Sequence, residues 1–432
     1  MYKKLLGWTQ ELKRNLALKN MAWMISERVV QMLLGFVLSV ISARYLGPSN
    51  YGVINYTLAI ISLFTSLSTL GLEGVVINEF VTKPQKQGEI LGSAMGLRAL
   101  SSLLSCGAVV IVVSALKPRE SEYVLIAALQ GTRLFFLAAE VIDMWFQSRL
   151  QSKVVAIMRT IAYVIVSLYR IFILATAKSI AWFAFTNSLD AALVALLFLW
   201  GYKKHNGPKV SFAWKTAVSL LKKSYRFILA GVMVAVYAQT DKVMLEHMLD
   251  TQSVGLYSIS TYINGLINFV PAAVIASMRP GIIEMHKADK EQFIKKIKQL
   301  YTILIWGCWG YAAAVTLLAK PVIQILYGEE YLGAVLPTQI IVWCGAWSQM
   351  GCARDIWMIC ENKQKYSTTY ALCGALFNVG MNAVLIPVWG MAGAAAATLL
   401  SQFLTGFVVT LLYKDTRIHN KYIIDAIAFR WN

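Results

Sequence analysis

The sequence predicts an all-α integral membrane protein of about twelve transmembrane helices, arranged as two six-helix lobes around a central cavity. Three observations predict it: an unusually apolar composition, a lopsided placement of basic residues, and a faint internal repeat. Of 432 residues, 58% are hydrophobic and 14% charged, with a mean hydropathy of +0.58. A soluble chain of this length needs far more charge to cover its surface. Lys and Arg number 40 against 22 Asp and Glu, a net charge of +18. Such an excess fits nucleic acid, an anionic membrane surface or an anionic substrate, and its placement along the chain decides between them.

A spanning helix needs roughly 20 mostly apolar residues. The first half offers runs at 22–43, 53–74, 91–115, 123–145, 154–176 and 180–200, and the second at 226–247, 254–278, 300–319, 333–358, 367–387 and 391–413. The linkers between runs are short, so the chain reads as one integral membrane domain.

With the amino terminus inside, the cytoplasmic segments are 1–21, 75–90, 146–153, 201–226, 279–299, 359–366 and 414–432. They hold most of the Lys and Arg, whereas the outer loops carry only Arg44, Lys117, Arg119, Lys178 and Lys320. That is the positive-inside pattern, with both termini cytoplasmic, and it accounts for the net charge without nucleic acid. The expected organisation is a cytoplasmic amphipathic segment (1–21, with Leu5, Trp8, Leu12 and Leu16 near one face), a first lobe (22–200), a basic linker (201–225), a second lobe (226–413) and a cytoplasmic tail (414–432). The first twenty residues lack the apolar core and small-residue cleavage site of a signal peptide. Six cysteines lie mostly in apolar runs without a CxxC or a neighbouring His, so neither metal, cofactor nor disulfide framework is expected.

The stretch "YLGPSNYGVINYTLAI" (45–60) resembles "MLDTQSVGLYSISTYI" (248–263) at a constant offset of 203, pairing Leu46 with Leu249 and Gly52 with Gly255. Both lie between the first and second spans of a six-span half. Two halves that each start inside share one orientation, a duplicated design typical of transporters.

A charge facing lipid costs about 2.5–3.5 kcal/mol at mid-helix, so intramembrane charges usually face protein or water. The span assignment leaves Glu27, Arg28, Arg98, Arg133, Glu140, Arg159, Arg170, Asp190, Asp241, Lys242, Arg354 and Asp355 in this position. Arg133 and Asp190 lie near mid-span, where they point to a lumen or to an internal ion pair. Arg159 and Arg170, eleven residues apart, share one face about three turns apart. Arg28 and Arg98 stand near the inner surface, where snorkelling competes with a lumenal role. Arg354 and Asp355 lie near the inner end of their span, which favours an interfacial reading. The concentration of deep cations in the first half predicts a basic interior suited to an anion. Asn264 with Asn268, and Asn378 with Asn382, are spaced i, i+4 and either line a cavity or join helices.

The stretches "ARYLGPSNYGVINYTLAI", "QTDKVMLEHMLDTQSVGLYS", "LYGEEYLGAVLP" and "FNVGMNAVLIPVWGMAGAAAATLLS" occur in the order expected of bacterial polysaccharide transporters. The chain resembles the O-antigen flippases (Wzx type) of the multidrug/oligosaccharidyl-lipid/polysaccharide exporter superfamily. The resemblance implies two six-helix lobes in a V that open alternately to each face. It implies a non-enzymatic transporter of the bacterial cytoplasmic (inner) membrane that moves an undecaprenyl-diphosphate-linked oligosaccharide to the outer leaflet. It further implies coupling to an ion gradient, H+ or Na+, and other polysaccharide-assembly proteins as partners.

On this reading Arg28, Arg98, Arg133 and Arg159 are the candidate diphosphate ligands, with Lys242, Asn264, Asn268, Asn378 and Asn382 as further substrate contacts. Glu27, Glu140, Asp190 and Asp241 are the ion-coupling candidates. Two alternatives stay open. One is a drug or cation exporter of the same superfamily. The other is a membrane-embedded glycan polymerase, against which stand the short outer loops and the adjacency of Glu329 and Glu330.

Overall fold

The computed structural model describes residues 2–176 and 178–431, and among them the side chains of residue 23 and of residues from 29 onward except 287 and 365. Secondary structure among the described residues is entirely helical. The elements are α1 (Tyr2–Thr69), α2 (Glu73–Thr82), α3 (Gln87–Leu116), α4 (Ser121–Phe136), α5 (Val141–Ser148), α6 (Ser152–Ala175), α7 (Ile180–Lys204) and α8 (Trp214–Met248). They continue as α9 (Thr251–Leu266), α10 (Phe269–Ala288), α11 (Lys290–Leu326), α12 (Val335–Ile341), α13 (Cys344–Cys360), α14 (Lys365–Phe403) and α15 (Ile418–Ile427).

Nine segments among the described residues are long and apolar enough to cross a bilayer. Two of them contain a sharp break. In α1 it falls at Gly47, with φ 70° and ψ 168°, immediately before Pro48. In α14 it falls at Gly390, with φ 57° and ψ −134°. Positive φ is open to glycine because it lacks a Cβ, and Pro48 then opens the next helix with no amide left unpaired. Each break turns one long segment into two spans. The remaining predicted span, 333–358, is built from α12 and α13 in sequence, each too short to cross alone. The short linkers "RYLGPSNYG" and "PVWG" are therefore helical apart from one residue each.

The chain forms two compact units: Met1–Tyr45 with Thr57–Ala235, and Leu46–Tyr56 with Val236–Asn432. In the first unit, Leu72, Val76, Phe80, Ile90, Trp145, Phe146, Phe198 and Tyr202 form a buried core. Gln87 stitches its end: Trp145 Nε1 donates to Gln87 Oε1 at 3.0 Å, Arg149 donates to the same oxygen at 2.8 Å, and the Arg149 guanidinium lies 4.0 Å over the Trp145 ring.

In the second unit the predicted tail is a packed helix. Asp425 of α15 pairs with Lys298 at 2.9 Å, Thr410 donates to Asn420 at 2.6 Å, and Tyr301 Oη meets His419 Nδ1 at 2.8 Å. His419 is fully buried, edge-on to Trp357 with ring centroids 4.2 Å apart. Burial, with Arg354 and Lys363 near it, holds this imidazole well below its usual range.

The two repeat segments meet within this second unit. A Cβ on Gly52 would lie 1.9 Å from the Thr251 carbonyl oxygen, and one on Gly255 would lie 2.0 Å from that of Pro48. The offset of 203 that relates Gly52 to Gly255 also relates Pro48 to Thr251. The contact is thus reciprocal, as in an isologous interface, and each crossing point needs a residue without a side chain.

Leucine at either crossing glycine should disrupt this packing, with overpacking costing about 1–3 kcal/mol or more. Gly52→Leu and Gly255→Leu are expected to reduce the monodisperse yield in detergent, whereas Gly107→Leu, whose Cβ would meet open space, should not. Equal yields for all three would remove the crossing from the account. A second expectation concerns His419. Because its folded-state value is depressed, the unfolded chain takes up the extra proton as pH falls. Its contribution is complete above about pH 6.5 and is lost below it, at roughly 1.4 kcal/mol per pH unit. Thermal unfolding should therefore shift to lower temperature between pH 7.5 and 5.5, and His419→Asn should flatten that shift.

Candidate functional site

Unit 1 encloses a polar cavity of about 460 Å³ among the end of α1, the start of α2, and α3, α5 and α6. Arg98 enters it from α3 and is only 3% exposed. Its Nε donates to the Thr69 carbonyl and its Nη1 to the Leu137 carbonyl, both at 3.2 Å. Thr69 is the last residue of α1, and Leu137 follows the last residue of α4. Carbonyls at helix ends lack a full set of intrahelical donors, so one guanidinium serves both ends.

Arg159, one turn and more into α6, faces two acids on the other wall. Its Nη2 donates to Asp143 Oδ2 at 2.9 Å and lies 3.4 Å from Glu140 Oε1. Glu140 and Asp143 are three residues apart across a short 3₁₀ turn and α5, which places them on one face. The guanidinium also lies 5.2 Å from the Phe198 ring. A smaller cavity of about 60 Å³ continues the same charged row, lined by Arg133, Glu140, Arg159 and Asp190. Arg98, Arg133, Arg159, Glu140 and Asp190, chosen from sequence, are therefore gathered in one unit. The side chains of Glu27 and Arg28 lie outside the described residues.

The lining differs in charge from the expected basic interior. Glu73 and Asp143 join Glu140, so among the described residues the larger cavity carries three acids against Arg98 and Arg159. Asp143 lies inside the predicted fourth span, one turn after Glu140, and the depth argument applied to Glu140 applies equally to it. Glu73 lies at the end of the predicted second span (53–74), two residues after Gly71, which at φ 55° turns the chain there.

Unit 2 holds the second charged centre. Asp241 is 4% exposed, and its Oδ2 accepts from Tyr257 at 2.6 Å and Thr398 at 3.3 Å. Its Oδ1 has no hydrogen-bond partner among the described residues. Lys242, the next residue, is half-buried. Asn378 and Asn382 are fully buried on α14, where Asn382 Nδ2 donates to Asn378 Oδ1 at 3.0 Å. Asn378 Nδ2 and Asn382 Oδ1 are left without partners among the described residues. The Cβ position of Gly374, one turn before Asn378, is 3.9 Å from the ring of Tyr237, one turn before Asp241. The α14 face bearing the asparagines thus meets the α8 face bearing the aspartate. The other pair joins helices: Asn264 Nδ2 donates to Cys344 Sγ at 3.5 Å, and Asn268 Oδ1 accepts from Gln349 at 3.1 Å.

The family model for polysaccharide biosynthesis proteins matches residues 17–286. A probable flippase, AglR, of Haloferax volcanii is 26% identical over 174 residues, which is 39% of this chain and 36% of that relative. The match thus spans about a third of the relative's length. Among solved structures, an inward-facing multidrug-resistance MATE transporter superposes with a TM-score of 0.71 at 11% identity, covering 91% of this chain and 96% of the other. The lipid II flippase MurJ, in an inward closed conformation, superposes with a TM-score of 0.70 at 14% identity, covering 94% and 91%. The chain has the fold of these transporters and belongs to the polysaccharide biosynthesis protein family.

Proposed function

We propose that the chain is a flippase that carries a polyprenyl-diphosphate-linked oligosaccharide from the cytoplasmic to the outer leaflet of the cell membrane for surface polysaccharide assembly. The termini are cytoplasmic on this reading, and the substrate is delivered to and taken up by other assembly proteins. The observation that carries the proposal is Arg159 in the polar cavity of a membrane-spanning unit, with Arg98 in its wall and Arg133 in the adjoining smaller cavity. A diphosphate head group has to cross about 30 Å of hydrocarbon while its prenyl tail stays in lipid. Arginine suits it, because the planar fork binds phosphate oxygens bidentately and keeps its charge.

The geometry supports distinct roles. Arg98 is committed to two carbonyls and positions the cavity wall. Arg159 is held by Asp143 and Glu140, a carboxylate pair that a diphosphate can replace oxygen for oxygen. The acids then offset the Arg159 charge in the empty cavity and compete with the substrate, which favours release once the cavity reopens. Asp241, with one carboxylate oxygen unpartnered beside Tyr257 and Thr398, is the proposed site of coupling to H+ or Na+, with Asp190 as the counterpart in unit 1. Ion binding there biases the conformational equilibrium only by its differential affinity for the two states.

A second reading, export of a cationic solute, is favoured by the excess of acids among the described residues around the larger cavity. Proteoliposomes separate the two readings. With a fluorescent polyprenyl-diphosphate oligosaccharide, the wild type should expose the glycan to an external glycosidase faster than protein-free vesicles. Arg159→Ala should slow this roughly 10- to 100-fold, the loss expected for charge-assisted bonds of about 1.5–3 kcal/mol, with Arg159→Lys in between. Full activity in Arg159→Ala at normal abundance would refute the diphosphate role. Cation efflux without glycan movement would instead establish the second reading. Asp241→Asn should leave substrate binding intact and remove the response of the rate to an imposed proton or sodium gradient.

A further inference from the structure

The linker between the two sequence halves is pinned to α3. Cβ atoms on Gly88 and Gly92 would lie 2.1 Å from the Lys209 carbonyl oxygen and 2.3 Å from that of Ser211. The Ser211 amide donates to the Gly88 carbonyl at 3.2 Å, the Ala213 amide donates to Ser93 Oγ at 3.1 Å, and Tyr202 donates to the Pro208 carbonyl. Further along, Thr216 bonds Glu89 and Lys223 pairs with Glu79. Two glycines one turn apart open a groove for the 209–213 backbone, so this linker is a fixed strap.

Fixing the backbone fixes what faces outward. Val210 and Phe212 lie flat across Gly92 and Gly96, yet each remains 55% exposed, and Trp214 is 68% exposed. Val210 and Phe212 on the strap and Trp214 at the first residue of α8 are therefore three large, exposed apolar side chains within five residues. The Phe212 and Trp214 rings stand 6.3 Å apart. Residues 201–226 contain Lys203, Lys204, Lys209, Lys215, Lys222, Lys223 and Arg226 and no acid. Glu79 and Glu89, the acids packed against the strap, are engaged by Lys223 and Thr216. The strap also sits between the ends of two membrane-spanning helices, α7 and α8.

We infer that the strap edge Val210–Phe212–Trp214, with Lys209 and Lys215, is a docking surface for anionic phospholipids. The rings occupy the depth of the glycerol and upper acyl chains, and the lysines meet the phosphodiester groups. Charge complementarity selects this occupant, because an apolar edge flanked only by cations matches an anionic interface and mismatches an apolar protein groove. The strap thereby ties one end of the spanning helices of unit 1 to the lipid interface. Assignment to the inner leaflet rests on the orientation proposed above; lipid selectivity does not.

Tryptophan quenching of the full-length protein in bilayers of mixed phosphatidylglycerol and phosphatidylcholine tests this, with bromine on the acyl chains of one lipid at a time. The component due to Trp214 is the difference between wild type and Trp214→Phe. It should be at least roughly twofold more quenched by the brominated anionic lipid. In the double variant Lys209→Gln, Lys215→Gln, both positions being exposed, it should fall to the value set by the lipid mole fraction. Quenching that is absent with both lipids would mean the edge faces water or another protein, and would overturn the inference. Equal quenching by both, unchanged in the lysine variant, would overturn it as well, leaving an apolar anchor without selectivity. None of these readings needs the glycan to move, so failure here and failure of the flippase proposal are separable.

Discussion

Inside hydrocarbon a bare carbonyl or a bare charge is among the most expensive features a protein can present, because no water is there to satisfy it. Unit 1 meets that constraint at one residue. Arg98 is almost fully enclosed and donates to the ends of two helices at once, the Thr69 carbonyl of α1 and the Leu137 carbonyl after α4. The helix ends gain a donor, the guanidinium gains acceptors, and three helices are fixed around a single polar group. The polar cavity exists because those ends meet there, and the placement of Glu73, Glu140 and Asp143 around it follows.

The remaining charges form a graded series. Arg98 is locked by backbone; Arg159 is held by exchangeable carboxylates; Arg133 lines the smaller cavity with Asp190. The flippase proposed above needs this gradation. A cation bound irreversibly to protein acceptors does not reach substrate, and one with no acceptor is too costly to bury while the cavity is empty. Asp241 follows the same logic with the sign reversed, since hydroxyl donors satisfy one oxygen and leave the other open.

Close backbone approach at glycine recurs along the chain, and two settings bear on function. Gly52 and Gly255 let the repeat segments cross reciprocally in unit 2, and Gly88 and Gly92 seat the linker on α3 in unit 1. In neither does glycine serve as a flexible joint. It provides space, and the polypeptide that fills that space becomes a fixed part of the unit.

The fold class was legible in the sequence because a bilayer imposes length and apolarity on each span, and both are properties of the chain alone. Span number, the basic asymmetry and the repeat register at Gly52 and Gly255 all follow from local pattern. The depth of Arg98, Arg133, Arg159, Glu140 and Asp190 in spans of the first half was countable too, but not which helix faces bring them to adjoining cavities. What the sequence did not determine was partnership. An isolated arginine at a given depth reads the same whether it meets a carbonyl, as Arg98 does, or a carboxylate, as Arg159 does. The cavity's acid excess among the described residues, the helical passage through "RYLGPSNYG" and the packed α15 were likewise decided by tertiary structure. Each depends on which helix faces meet, and a face acquires its partner only when helices distant in sequence are brought together.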